Sequence, residues 1–366
     1  MDYYKKYDLK KVINASGKMS ILGVSIYSEE TVSAQVFGSQ HFFEMKQLVE
    51  HTGNHIAKLL GVESAYIVSS ASAGIAQSVA GIIGMGSKAH VYDPYNQSMT
   101  KREIVIPKGH NVDYGTPVEV MVQLGGGKVV EAGYANMCSA DHIENIITAQ
   151  TAAILYVKSH HAVQKSMLSI SETVEIAHKF DLPLIVDAAA EEDLKKYYEL
   201  GADITIYSGA KAIEGPSSGV VLGKSEWIDK IKMQSDGIGR AMKIGKENIL
   251  GLSEAIEAYL VNGAESGEDM KNRLDSFVRE LNTLTGIHSK IIQDTAGRDI
   301  YRAQITVDND NQEISATQLV DKLKQGDPAI YTRDYQKNNG IIEFDVRAVS
   351  LEDMQDIMDR MKALMK

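Results

Sequence analysis

Lys211 lies in Ile206-Tyr-Ser-Gly-Ala-Lys-Ala-Ile-Glu-Gly-Pro-Ser-Ser-Gly219, where an apolar strand stops at a small-residue turn and a lysine follows at once. An ammonium held between buried strands is costly unless its charge is paired or lost. A lysine so placed can form a Schiff base with a carbonyl, although a turn lysine reaching into solvent fits the stretch equally well. Asp187 ends a second apolar strand, Leu182-Pro-Leu-Ile-Val186. A carboxylate there needs a strong partner, and a pyridinium N–H would be one. Upstream, Ser69-Ser-Ala-Ser-Ala-Gly74 joins a strand, Ala65 to Val68, to an apolar helix from about Ile75 to Ile83. Free amides and the dipole at such a helix start favour an anion, and serine hydroxyls add donors. A simple N-cap is the plain alternative.

A phosphate cradle, a carboxylate for a ring nitrogen and a Schiff-base lysine, in this order, are what pyridoxal 5′-phosphate requires. The expected cofactor ligands are Ser70, Ala71, Ser72, Ala73, Asp187, Ser208 and Lys211. Asp203 competes with Asp187, but it precedes a strand, whereas ligands of parallel sheets bind beyond the carboxyl ends. His110, after the strand Glu103 to Ile106, is read as stacking on the ring or as a catalytic acid, with a loop histidine as the alternative. Either of His160 and His161, which follow the strand Ala152 to Val157, is a further candidate for the site. Their adjacency completes no metal constellation, and no metal is expected.

The elements that must position these groups follow from hydrophobic periodicity. Further strands are read at Ala89 to Tyr92, Lys128 to Ala132, Ile204 to Tyr207 and Gly219 to Leu222. Helices are read at Ala140 to Ala149, Ser171 to Phe180 and Glu192 to Leu200. Continuous apolar strands separated by helices imply a mainly parallel sheet covered on both faces. The last part of the chain alternates half-exposed strands, Tyr301 to Val307 and Ile341 to Val346, with two helices, which implies a small α+β domain. The expected division is an arm and helix over 1–45, a large cofactor-binding α/β domain over 46–246, and a linking helix with the small domain over 247–366.

Composition narrows the function classes. The chain has 366 residues, 44% hydrophobic and 24% charged, as in ordinary globular proteins. Its net charge of −11 argues against a nucleic-acid partner. A single cysteine, Cys138, excludes an intrachain disulfide and is read as a structural thiol. The N-terminus lacks the apolar stretch of a signal peptide, and no run reaches membrane-spanning length. A cytoplasmic location is expected.

Three motifs carry a resemblance. Val12-Ile-Asn-Ala-Ser-Gly17, Tyr207-Ser-Gly-Ala-Lys-Ala-Ile-Glu-Gly-Pro-Ser-Ser-Gly219 and Phe344-Asp-Val-Arg-Ala348 resemble those of fold-type I pyridoxal-phosphate enzymes in the branch around selenocysteine synthase. The Ser69 to Ala73 turn departs from that branch's Asn-rich run. The resemblance implies an aspartate-aminotransferase-like fold, with a mainly parallel seven-stranded sheet in the large domain and a smaller α+β C-terminal domain. It also implies a homodimer or higher homo-oligomer. Within the branch the chain is shorter than the tRNA-acting enzymes. It looks most like a lyase removing ammonia from a 2-amino-3-hydroxy acid, a phosphorylated amino-sugar acid. Another β-elimination or replacement enzyme, or a non-catalytic binding protein of the same fold, is the alternative. The resemblance makes Lys211 the base for the α-proton and Asp187 the partner of the ring nitrogen. It makes Arg347 the first choice for the substrate carboxylate and Arg333 the second, since a guanidinium offers a planar fork. Arg240, Lys243 and Lys246 are candidates for a distal phosphate, with a solvated basic face as the alternative.

Overall fold

A computed structural model describes residues 1–294, 297–308 and 314–365. It divides the chain into two compact units, Tyr27–Gly263 and a second made of Met1–Ile26 with Ala264–Lys366. The described strands are β1 (Val12–Ala15), β2 (Ser64–Val68), β3 (Glu103–Pro107), β4 (Lys128–Ala132), β5 (Thr151–Val157), β6 (Leu184–Asp187), β7 (Ile204–Ser208), β8 (Gly219–Gly223), β9 (Ile287–Gln293), β10 (Tyr301–Val307), β11 (Ala329–Thr332) and β12 (Ile341–Asp345).

The larger unit is built on a seven-stranded sheet of order β2-β8-β7-β6-β5-β3-β4. All neighbours in it are parallel except that β8 runs antiparallel to both β2 and β7. Every residue of β5 is buried. Its alternate side chains divide between two cores, Ile154 and Tyr156 in one, Ala153, Leu155 and Val157 in the other. Helices therefore cover both faces, as a continuous apolar strand requires. The fold is that expected from the sequence. Residues 27–45 and 247–262 also belong to this unit, where Gln35 Nε2 donates to Asn248 Oδ1 at 2.8 Å and ties the helix Glu29–Gln40 to the helix Lys246–Asn262.

Two local expectations are corrected. Ala89 to Tyr92 is not a strand but part of a helical turn, Lys88–Tyr92, closed by Val91 N–H to Ser87 O and Asp93 N–H to Ala89 O. Four apolar-rich residues are too short a window to separate the two periodicities. The helix after β2 begins at Ala71 rather than near Ile75, because the Ser70 hydroxyl caps it by accepting from Ala73 N–H at 3.0 Å.

The smaller unit contains an antiparallel sheet of order β12-β10-β9 and a parallel pair, β1 with β11. Ala303 and Ile305 of β10 and Ile342 and Phe344 of β12 pack on Leu274, Phe277 and Leu281 of the helix Gly267–Leu281. The Phe277 and Phe344 rings meet edge to face at 5.6 Å.

Candidate active site

The topology gathers the chemistry at one edge of the large sheet. Strands β3, β5, β6 and β7 end there, and β2 runs in their direction because β8 is antiparallel to both its neighbours. The start of β8 therefore lies at the same edge, where Gly219 pairs with Val68 on one side and with Ser208 on the other. Val68 leads into the helix start at Ala71, and Ser208 leads into the Lys211 turn. A Cβ on Gly219 would fall 2.7 Å from the amide nitrogen of Ala71, so only glycine lets the strand approach the helix start this closely. The first amides of the helix Ala71–Gly84 have no intrahelical acceptor and point out of this edge.

The lysine turn is closed on itself. Gly209 N–H donates to Ser218 O at 2.9 Å, Gly215 N–H to Gly209 O at 2.8 Å, and the Ser218 hydroxyl to Pro216 O at 2.7 Å. The Gly-Pro-Ser-Ser-Gly segment thus folds back on the residues before Lys211 and restricts the reach of its half-buried side chain. Asp187 ends β6 on the adjacent strand and is buried. Its Oδ1 accepts from the Ala189 amide at 3.1 Å. Burial pushes the Asp187 carboxyl up, and the Lys211 ammonium and the Ala189 N–H offset only part of that shift. A carboxylate in this state gains from any further cationic donor.

Two more side chains feel the charges of this pair. Tyr114 bonds Ser72 Oγ through its hydroxyl at 3.0 Å, on the first turn of the capped helix. Burial raises its pKa, the Ser72 bond opposes this, and the Asp187 charge adds to it. The hydroxyl therefore bonds the helix start and feels the Asp187 charge. Tyr114 was not singled out from the sequence; the only local signal is the tight turn Asp113-Tyr-Gly115, in which Gly115 N–H donates to Asp113 Oδ1 at 2.7 Å. His161 lies on the exposed loop after β5, its amide donating to Ser159 Oγ and its ring 3.9 Å from that of His160. Burial and then the Lys211 charge hold His161 below the usual histidine range, and Asp113 opposes them. His161 is thus in electrostatic reach of Lys211.

The structure withdraws His110 from both roles read for it. The ring is fully buried, with Nε2 3.0 Å from Val163 O and Nδ1 accepting from Val157 N–H at 3.4 Å. Its edge packs on Tyr156 at 4.4 Å. Burial pushes its pKa down to about 4. A neutral imidazole with both nitrogens bound to backbone neither gives nor takes a proton, and here it fixes the loop after β3 to that after β5. Asp203 is likewise structural. It accepts from Leu184 N–H at 2.8 Å, pairs with His178 and Lys224, and sits at the start of β7, at the other edge of the sheet. Lys246 donates to His41 O and lies over the Phe42 ring, whereas Arg240 and Lys243 are exposed. Cys138 is buried, and its thiol is pushed up to about 11 by burial.

In the smaller unit the first and last family-like motifs meet. Asn14 Nδ2 donates to Gly17 O at 2.9 Å and its Oδ1 accepts from Ser16 N–H, which makes a tight turn. Gly17, at φ 84°, lies against Asp345, where a Cβ would fall 2.9 Å from Oδ2. Asp345 holds Arg347 through two bonds, from Nε at 2.9 Å and from Nη2 at 2.8 Å. Burial pushes Asp345 up, but Arg347 and Arg302 outweigh it and hold the carboxyl well below its usual range. Arg333 is joined to Glu343 by a backbone bridge and by Nε to Oε2 at 3.3 Å, with its guanidinium over the Tyr335 ring.

The sequence model of the L-seryl-tRNA selenium transferase family matches residues 44–322. The chain is 44% identical to D-glucosaminate-6-phosphate ammonia lyase of Salmonella typhimurium (strain 14028s / SGSC 2262), over 99% of this chain and 97% of that one. It is 34% identical to 5′-C-glycyluridine monooxygenase-decarboxylase of a Streptomyces species, over 99% and 92%. A solved structure of D-glucosaminate-6-phosphate ammonia-lyase superposes with a TM-score of 0.93 at 43% identity, over 100% of this chain and 98% of that one. Solved aminotransferases share the fold at lower identity, which is that of fold-type I pyridoxal-phosphate enzymes.

Proposed function

Because the chain belongs to the L-seryl-tRNA selenium transferase family, we propose that it is an ammonia-lyase of that family. Its substrate is D-glucosaminate 6-phosphate and its products are 2-keto-3-deoxy-6-phosphogluconate and ammonia. The observation that carries this reading is the full-length 44% identity to a lyase of that name. It accompanies a lysine, a buried carboxylate and a capped helix start at one sheet edge.

These residues fit pyridoxal 5′-phosphate. The Gly219 approach leaves the helix start free of any side chain on that side, and its amides with Ser72 and Ser208 would hold the phosphate. Asp187, raised by burial, would hold a ring N–H and keep it protonated. Lys211 would hold the carbonyl carbon. When bound, the cofactor supplies an electron sink that makes the substrate α-proton removable.

The chain's own residues do the rest. The Lys211 amine takes the α-proton, and the closed turn behind it keeps that amine at the sheet edge. The departing 3-hydroxyl takes up a proton and leaves as water, and His161 is the candidate to relay that proton. The enamine set free becomes an imine, takes up a water molecule and releases ammonia, so substrate and products balance. Arg347 is the candidate for the substrate carboxylate, presented by its two bonds to Asp345. We assign the protein to a homo-oligomer in the cytoplasm. Support for assembly comes from Phe42, 100% exposed, beside exposed Val36 and Phe37 of one helix.

Keto-acid release from a panel of phosphorylated and unphosphorylated amino-sugar acids and simple amino acids tests the reading. Release from D-glucosaminate 6-phosphate above all others is expected, and activity only with unphosphorylated amino acids would sink it. The 34% identity to a monooxygenase-decarboxylase supports a second reading, in which the same edge handles oxygen-dependent decarboxylation. Oxygen consumption with a glycyl-nucleoside, absent with the sugar acid, would favour that one.

A further inference from the structure

The loop that follows β5 leaves the sheet at Val157 and returns past Val163. It starts beside the candidate site, since Lys158 N–H donates to Asp187 O at 2.8 Å. Its tip is turned tightly. Ala162 N–H donates to Ser159 O at 3.1 Å, and His161 N–H to Ser159 Oγ at 3.2 Å. The exposed His161 ring is thereby carried at the tip of a loop whose foot is bonded to the Asp187 strand end.

One buried imidazole closes the neck of this loop. His110 Nδ1 accepts from Val157 N–H at 3.4 Å, at the foot where the loop leaves. His110 Nε2 donates to Val163 O at 3.0 Å, at the foot where it returns. Beside the ring, Val163 N–H donates to Gly109 O at 3.0 Å. A second fastening is half-buried: Gln164 Nε2 donates to Val157 O at 3.4 Å, and Gln164 Oε1 accepts from Lys158 Nζ at 3.1 Å. A neutral imidazole is a rigid spacer with one donor and one acceptor. Taking it out of water costs more than burying an apolar ring of the same shape. What it supplies in return is a fixed separation between the two feet.

We infer that His110 is a positioning residue for the lyase reaction: by holding both feet of the loop it sets where His161 stands at the Lys211–Asp187 edge, and so governs loss of the 3-hydroxyl rather than removal of the α-proton. The inference rests on the role proposed for His161. The two steps separate chemically. Lys211 removes the α-proton, and return of a solvent deuteron to the same carbon gives labelled substrate. Departure of the 3-hydroxyl breaks the carbon–oxygen bond, sends its electron pair to oxygen and consumes one proton. A displaced His161 therefore slows elimination and spares exchange, whereas a general loosening of the site slows both.

The test follows D-glucosaminate 6-phosphate by NMR with the cofactor-loaded enzyme in deuterium oxide, reading α-exchange in the remaining substrate against keto-acid formed. His161→Asn is expected to lower elimination about 10²-fold with exchange retained. His110→Phe keeps a ring but loses both bonds, and elimination is expected to fall about 10- to 100-fold, again with exchange retained. Added to His161→Asn, it is expected to cost nothing further, because both changes act through one group. His110→Gln offers Val163 O a donor again and is expected to recover most of the loss. Gln164→Ala undoes only the second fastening, and a loss of one such bond predicts about a threefold fall in elimination relative to exchange. A thermal melt shows whether His110→Phe folds, and if it does not, Gln164→Ala decides alone. Full elimination in His161→Asn would remove the role of His161 and this inference with it. If His161→Asn does slow elimination, two results overturn the inference by itself: exchange and elimination falling equally in the deciding variant, or that variant costing as much in the His161→Asn background as alone.

Discussion

Asp187 and Asp345 make an informative pair. Each ends a strand and each is buried, yet their surroundings treat them in opposite ways. At Asp345 two arginines outweigh the cost of burial, and the carboxylate is a fixed anion that braces Arg302 and Arg347. At Asp187 burial outweighs one lysine and one amide, and the carboxylate is left wanting a cation. The smaller unit uses its aspartate to complete a structure. The larger unit holds its aspartate ready for something else, and that deficit distinguishes a binding site from a brace.

The largest effect expected on this contrast comes from removing the charge that faces Asp187. Lys211→Ala takes away the amine proposed as both Schiff-base former and α-proton base. Keto-acid formation is expected to fall by at least about 10³-fold, and the visible absorbance band of the loaded enzyme should vanish. Activity within tenfold of wild type would remove Lys211 from the mechanism.

Replacing the two aspartates separately probes the contrast directly. Asp345→Asn leaves buried Arg302 and half-buried Arg347 without their shared carboxylate. Breaking a buried pair this way costs about 3–5 kcal/mol, read as a lower urea midpoint. Asp187→Asn removes a carboxylate that burial disfavours. The cofactor-free protein should be as stable as wild type or more so, while turnover falls about 10²-fold and the cofactor binds more weakly. Equal destabilisation by both substitutions would erase the distinction.

Acidity separates the same two sites with opposite sign. Asp345 and Asp294 are held below their unfolded value of about 3.9, after the arginines overcome burial. The stability they contribute is complete above that value and is lost as pH falls through the lowered folded values. Asp187 is raised, so its contribution is complete below the unfolded value and is lost as pH rises through the raised one. Urea midpoints of the cofactor-free protein across the acid range should show this. Asp345→Asn should flatten the acid side of the curve and Asp187→Asn the rise side. A curve unchanged by either substitution would contradict the assigned shifts.

How far each site could be read from the sequence follows from how local its partners are. The placement of Lys211 and Asp187 just past strand ends was legible because an apolar strand ending in a polar residue is a pattern within a few positions. The parallel sheet was legible for the same reason, through runs such as Ala152 to Val157. His110 was not, because what neutralises it comes from Val157 and Val163, far along the chain. β9 went unread because its exposed and half-buried residues look like a loop until β10 pairs with it. The Arg302 network was equally hidden, since β10 meets β12 only after an intervening helix and strand. Ala89 to Tyr92 shows the converse: a convincing local pattern whose hydrogen bonds turned out helical.

Tyr114 offers the smallest and most selective test of the larger unit's side of the comparison. Its hydroxyl holds Ser72 at 3.0 Å on the helix start and feels the Asp187 charge. Tyr114→Phe removes that hydroxyl and leaves the ring packed against the core. One neutral hydrogen bond is worth about 0.5–1.5 kcal/mol, so cofactor affinity should fall about two- to tenfold in equilibrium reconstitution of the cofactor-free protein. Because Ser72 is proposed for the phosphate end and Asp187 for the ring nitrogen, the variant can be placed between them. If Tyr114 acts through Ser72, free inorganic phosphate should compete better against cofactor in the wild type than in the variant, with the absorbance pH profile unmoved. If it acts through Asp187, the profile should shift and the phosphate competition should not. Affinity and profile both equal to wild type would make the Ser72 bond a packing detail of the helix start.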